Sequence, residues 1–258
     1  MDALTVGEEE EKKAYFCEEK AEESDVLERI RRILSEAFDH LSSYDPVSMR
    51  DGQRSIEELM AELCLGGRSG LEEFCKLQDG FELNVATQLI ACLERLLGKE
   101  TNHPISSHIC HTLELLQGSL LLHPASRSLF TRHINMNILL DLLEPQSEPD
   151  VHIATLATLV AALVDRWDNV RVFESLDGLA SVASLMKSKT STQKVKLKIA
   201  EFLYFYLIPE PVFSGPVTNK KLDIRRSTEE KESMLAKYLH NVRSLVKDLQ
   251  EFTPFGEL

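Results

Sequence analysis

Apolar residues recur along most of this chain at helical spacing, and the clearest instance lies between Val172 and Pro211. There Leu179, Val182, Ala183 and Met186 fall at i, i+3, i+4 and i+7, which predicts a short amphipathic helix. Lys187 to Thr192 breaks the pattern with polar and helix-capping residue types. A second helix is predicted from Gln193 to Ile208, stopped by Pro209 and Pro211. Its latter half, FLYFYLI, is apolar on nearly every side and is expected to be covered all round.

One hairpin cannot bury two apolar faces, so the pattern has to recur. Moving the long helix back 44 residues sets Leu197 on Ile153, Leu203 on Leu159, Tyr204 on Val160 and Ile208 on Val164. A second shift of 44 reaches Ile109, Leu115, Leu116 and Leu120. The short helix recurs 43 residues upstream, where Leu139, Leu142 and Leu143 stand at the places of Val182, Leu185 and Met186, and Phe130 matches Phe173. Helix pairs with a period of about 40 to 47 residues are the armadillo/HEAT signature. The predicted fold is therefore all-α, an armadillo/HEAT-like helical-repeat superhelix whose concave side can hold a partner.

In chain order, residues 1–24 form an acidic tail, read as solvated or as an acidic docking segment. Residues 25–208 carry the repeats. A helix is predicted over Asp25 to Leu41, another from Ser55 with Glu58 in a capping box, ended by Gly66, Gly67 and Gly70, and another over Asn84 to Gly98 with Val85, Leu89, Cys92, Leu93, Leu96 and Leu97 inward. Leu71 to Gly80 shares with Val172 to Gly178 a Phe shortly before Asp-Gly, and Glu100 to Pro104 reads as a loop. Long-helix copies then start near Ser106, Asp150 and Gln193. Residues 209–227 read as an exposed Pro/Gly loop, and 228–258 as a C-terminal helix over Thr228 to Gln250 with a short tail.

The positions expected to turn away from the shared core are His111, Glu114 and Gly118 in the first copy, Thr155, Thr158 and Ala162 in the second, and Ile199, Phe202 and Tyr206 in the third. The first two sets can face water or a partner. The third is too apolar for either and predicts an internal cover, for which the helix from Thr228 is the candidate. Removing residues from Arg225 onward should then cause aggregation.

Composition narrows the function. A net charge of −13 disfavours nucleic acid and anionic membrane, although Gly7 to Asp25 alone holds nine Asp/Glu against three Lys. Five cysteines without a C-x-x-C pair fit reduced thiols in a cytosolic or nuclear protein, and neither a signal pattern nor a membrane-length apolar run is present. Catalytic readings find no support. The residues six beyond Cys17, Cys64, Cys75, Cys92 and Cys110 are Glu23, Gly70, Phe81, Gly98 and Leu116, so none offers the Arg of a cysteine phosphatase. No G-x-S-x-G occurs, and the glycines near 66–70 lack the Lys-Ser/Thr of a phosphate loop. His103, His108, Cys110 and His111 lie close in sequence, yet His108 and Cys110 project to opposed sides of a helix, so no metal is expected, and no cofactor.

Binding candidates remain. Lys187, Lys189, Lys194, Lys196 and Lys198 make a basic stretch, read either as a solvated edge or as a docking patch for an acidic partner. Trp167, the only tryptophan, is either inter-repeat packing or an interface anchor, with Arg171 beside it as a further contact candidate. Arg225, Arg226, Ser227 and Thr228 precede Glu230, which fits a capping box; Ser227 and Thr228 also suit a basophilic kinase.

FDHLSSYDP at Phe38 to Pro46, CLGG at Cys64 to Gly67, WDNVRVFESLDGLASVASLMKS from Trp167, KVKLKIAEFLYFYLIPE from Lys194 and the PFG of Pro254 to Gly256 resemble the fungal cell division control protein 14 family of the septation initiation network. That family shares only a name with the dual-specificity phosphatase. The resemblance covers about residues 26 to 256, and it implies a non-catalytic subunit that binds the network's germinal-centre-type protein kinase. It further implies a cytoplasmic protein recruited to the spindle pole body to promote septum formation. A general armadillo-type peptide adaptor is the alternative.

Overall fold

The computed structural model describes residues 24–66, 68–98, 105–210, 225–240 and 244, and every regular element among them is helical. Helix α1 (24–42) buries Ile30, Leu34, Ala37 and Leu41 along the expected stripe. Helix α2 (Pro46–Leu65) starts at Pro46, not at Ser55. Asp45 caps it by accepting from Ser48 N at 2.9 Å, and Pro46 supplies a helical φ at a position that needs no N–H donor. Ser55 is instead inside the helix, its hydroxyl donating to the carbonyl of Asp51. Gly66 closes α2, but Gly70 does not stop anything: α3 (Arg68–Asp79) runs through it. Helix α4 (Val85–Leu97) is capped by Asn84, which accepts from Thr87 N at 2.9 Å, and it buries all the expected residues except Leu97, which stays 39% exposed. The expected loop at 100–104 and the tail at 1–23 lie outside the described residues.

The long helices α5 (Ser106–Leu122), α7 (Pro149–Leu163) and α10 (Gln193–Leu207) begin where the repeat predicts. Helix α2 packs on α5, α5 on α7, and α7 on α10. Shorter elements flank them: a 3-10 helix over Pro124–Thr131, α6 (His133–Asp141), α8 (Trp167–Ser175) and α9 (Gly178–Lys187). Phe74, Phe130 and Phe173 are each fully buried, in line with their matching places in the sequence.

Burial fixes the register of the three long helices. Thr112, Thr155 and Ile199 are all fully buried, and so are Leu116, Leu159 and Leu203, and Leu120, Leu163 and Leu207. Leu115, Thr158 and Phe202, and Ser119, Ala162 and Tyr206, are buried as well. The spacing is thus 43 residues from α5 to α7 and 44 from α7 to α10, one residue less in the first step than the sequence comparison assumes. A one-residue slip turns a helix by about 100°, which is why Thr155, Thr158, Ala162, Ile199, Phe202 and Tyr206 face the core and do not turn away from it. Tertiary hydrogen bonds repeat with the register too. The carbonyl of Val164, just past α7, accepts from Arg127 Nη1 at 3.1 Å; that of Ile208, 44 residues on and just past α10, accepts from Lys231 Nζ at 2.9 Å.

The last described helix, α11 (Thr228–Leu235), lies against α10. Ser227 and Glu230 form the expected capping box. Leu235 is buried, and Met234, Tyr238 and Leu239 pack against the core. Val242, Leu245, Val246 and Leu249 of the expected stripe lie outside the described residues. FLYFYLI is not covered all round, since Tyr204 and Phe205 are half-buried and Ile208 is 49% exposed.

Candidate interaction face

The residues singled out from the sequence separate into three places. Glu114 is exposed on α5, with half-buried His111 beside it, whose Nε2 lies 3.3 Å from a Glu57 carboxylate oxygen on α2. Lys187, Lys189 and Lys194 are exposed around the turn from α9 to α10, and Lys198 pairs with Glu201 at 2.8 Å. His111, Glu114 and Lys198 line one groove of about 720 Å³ on the open side of α5, α7 and α10. Cys110, Ile153, Ala154 and Ala157 belong to the same groove, as do Glu148 and Asp150 at the start of α7. Partial burial, with the charges of Asp150, Glu114 and Glu148 adding to it, pushes the Cys110 thiol up to about 11. It is a neutral, unreactive thiol.

Thr155 and Thr158 are not on this face. Both are fully buried: the Thr155 hydroxyl donates to Val151 O at 2.7 Å, and that of Thr158 bonds to Ala154 O and, across to α5, to Leu113 O. They are interhelix packing residues. His108 accompanies Gln53, 3.2 Å from its side-chain oxygen, and no group of three or more metal-ligating side chains occurs among the described residues.

Trp167 opens α8 and is half-buried, packed on the core. With Val164, Val170, Phe205 and Ile208 it borders a smaller, mostly apolar slot of about 230 Å³. Lys231 Nζ lies 6.0 Å from its ring centroid and 5.3 Å from that of Tyr206. Arg171 points inward, so it is not a docking residue. It meets Glu210, whose side chain is completely buried, and its Nη1 stands 3.1 Å from Glu174 without hydrogen-bond geometry. Glu210 also pairs with Lys231 at 3.0 Å and accepts from Arg226 N at 2.8 Å, while the Arg226 guanidinium approaches Glu174 at 3.2 Å. Tyr206 donates its hydroxyl to Glu174 at 2.7 Å. Burial raises the pKa of Glu174 and lowers that of Lys231 against the pull of their ion-pair partners, and it raises that of Tyr206 together with the hydrogen bond to Glu174 and the charges of Glu174 and Glu210. Sequence reasoning missed Glu210 because it follows a proline in a stretch that reads as an exposed loop. Ser227 is exposed at the start of α11, whereas the Thr228 hydroxyl donates to Leu207 O at 3.2 Å and ties α11 to the end of α10.

A family model described as cell division control protein 14, SIN component, matches residues 30–72, 67–224 and 216–255. The chain belongs to that family of septation initiation network components. It is 32% identical over 237 residues to cell division control protein 14 of Schizosaccharomyces pombe (strain 972 / ATCC 24843), covering 88% of this chain and 97% of the relative. No solved structure matches. No described helix is long and apolar enough to cross a membrane.

Proposed function

We propose that this septation-network protein is a binding subunit without chemistry of its own, built as an armadillo-like helical-repeat superhelix, with α11 as its C-terminal cap. Its partner is a germinal-centre-type protein kinase, engaged in the cytoplasm and at the spindle pole body to promote septum formation. The observation that carries this reading is the open face. At matching places on the three long helices, Cys110 and Ile153 are only partly buried and Leu197 is 62% exposed. About three turns further along, at the end of α5 and just past the ends of α7 and α10, stand Leu121, which is 55% exposed, half-buried Val164, and Ile208, which is 49% exposed. A helical face that keeps apolar rows in water on successive repeats is a surface suited to a partner.

The cap reading is supported by α11 itself, which covers Tyr206 and supplies Lys231 to the end of α10, as Arg127 does for α7. Binding can change the kinase only as far as the open face distinguishes its active from its inactive state. Tandem purification of the tagged full chain from mitotic cells tests the partnership. One germinal-centre-type kinase should come through at equal stoichiometry, and recovery of the chain without a kinase would reject the reading.

A further inference from the structure

The geometry points to the specific occupant of the open face: an extended segment of a partner protein, basic at one end, apolar at every third residue through its middle, and acidic at the other end. This inference rests on the reading of that face as a partner surface and adds the chemistry of what it holds.

Three observations carry it. First, the groove crosses helices and does not follow one. Cys110 and Ile153 line it, and exposed Leu197 stands at the matching place on α10 beside the groove residue Lys198; the 43- and 44-residue register that burial establishes sets the three in a row across the long helices. Packed helices stand about 8 to 10 Å apart. A polyproline II segment advances about 9 Å for every three residues and returns the third side chain to the same face. Such a segment therefore places one apolar side chain against each successive long helix.

Second, charge is divided along that row. At the α5–α7 end Glu114, Glu148 and Asp150 rim the groove, and no described residue forms an ion pair with any of the three. At the α10 end stand Lys194 and Lys198, with Lys187 and Lys189 beyond. Complementary charge along a surface fixes the direction and register of an occupant more than its raw affinity. Third, the floor of the groove on α7 is Ile153, Ala154 and Ala157, small and apolar enough for side chains to approach the helix closely.

Fluorescence anisotropy on the full chain tests this. The probe is a labelled synthetic peptide with two arginines, then three leucines at every third position, then two glutamates. The wild-type chain should bind it, and Leu197→Glu should weaken binding by about tenfold. Glu148→Lys with Asp150→Lys should weaken it by a similar factor and should restore binding of a second peptide whose arginines are replaced by glutamates. Glu36→Lys with Asp39→Lys on exposed positions of α1, the same change in net charge, should alter affinity less than about twofold. Circular dichroism melts confirm that each variant is folded. Equal weakening by the α1 variant, no rescue by the second peptide, or no binding at about 1 mM peptide overturns the inference. The partnership reading is judged separately. If the kinase co-purifies with the wild type and equally with the Glu148→Lys/Asp150→Lys chain, the groove inference fails and the partnership stands; if it co-purifies with neither, the partnership fails whatever the peptide does.

Discussion

The two ends of the helix series are closed by different chemistry. At the start, α2 covers α5 mainly with apolar side chains, tied by Gln53 Nε2 donating to Thr112 Oγ1 at 2.8 Å and to His108 O at 3.0 Å and by a half-exposed contact of Glu57 with His111 at 3.3 Å. The same helix lies so close to α1 that a Cβ on Gly52 would sit 2.7 Å from the carbonyl oxygen of Ala37. At the far end, α11 and the segment before it close α10 with Arg171, Glu174, Glu210, Arg226 and Lys231, held by ion pairs and hydrogen bonds. Apolar closure spreads its stabilisation over many contacts. Ionic closure concentrates it, because each buried charge is tolerated only while its partners remain.

Glu210→Ala should have the largest effect. It leaves Lys231 and Arg171 buried without their carboxylate, and about 3 to 5 kcal/mol of unfolding free energy should be lost. Urea denaturation measures this, and a loss below about 1 kcal/mol would mean that the far end is held as the near end is. Gly52→Ala comes next. In an unhindered helix the change would gain about 1 kcal/mol, but here it pushes α1 from α2 and should cost about 1 to 3 kcal/mol; a rise in melting temperature would contradict the close approach.

The smallest effect is a pH dependence at the ionic end. Because burial raises the pKa of Glu174 above its ordinary 4.5, its contribution is fully present below pH 4.5 and is lost as pH rises through the elevated value. The margin in melting temperature of wild type over Glu174→Gln should therefore be wider near pH 5 than near pH 8. A margin that narrows on acidification would show that the carboxylate is held charged by Arg171 and Arg226 instead.

Local signals in the sequence were sufficient for local features. Asn84, Thr192 and Ser227 cap helices where their side chains can reach N–H groups three residues on, and the starts of α5, α7 and α10 follow from periodicity. The start of α2 differs from the sequence expectation because Ser55 and Glu58 satisfy a capping pattern that Asp45 and Pro46, upstream, make redundant. The repeat was visible, but its first step was one residue too long, and on a helix that error exchanges buried faces for open ones. Hence Thr155 and Thr158, expected at the surface, are buried between helices, while Glu114 is exposed and His111 half-buried against Glu57.

The amino-acid sequence determined the helices, their repetition and the family, since these depend on patterns within a few turns of chain and on residues compared one by one. Tertiary structure alone decided which rows of the long helices stay open, and that Glu210, following a proline, is buried between Arg171 and Lys231. Those outcomes turn on rotation about helix axes and on charges 39 and 21 residues apart meeting around the buried Glu210 carboxylate, neither of which local spacing encodes.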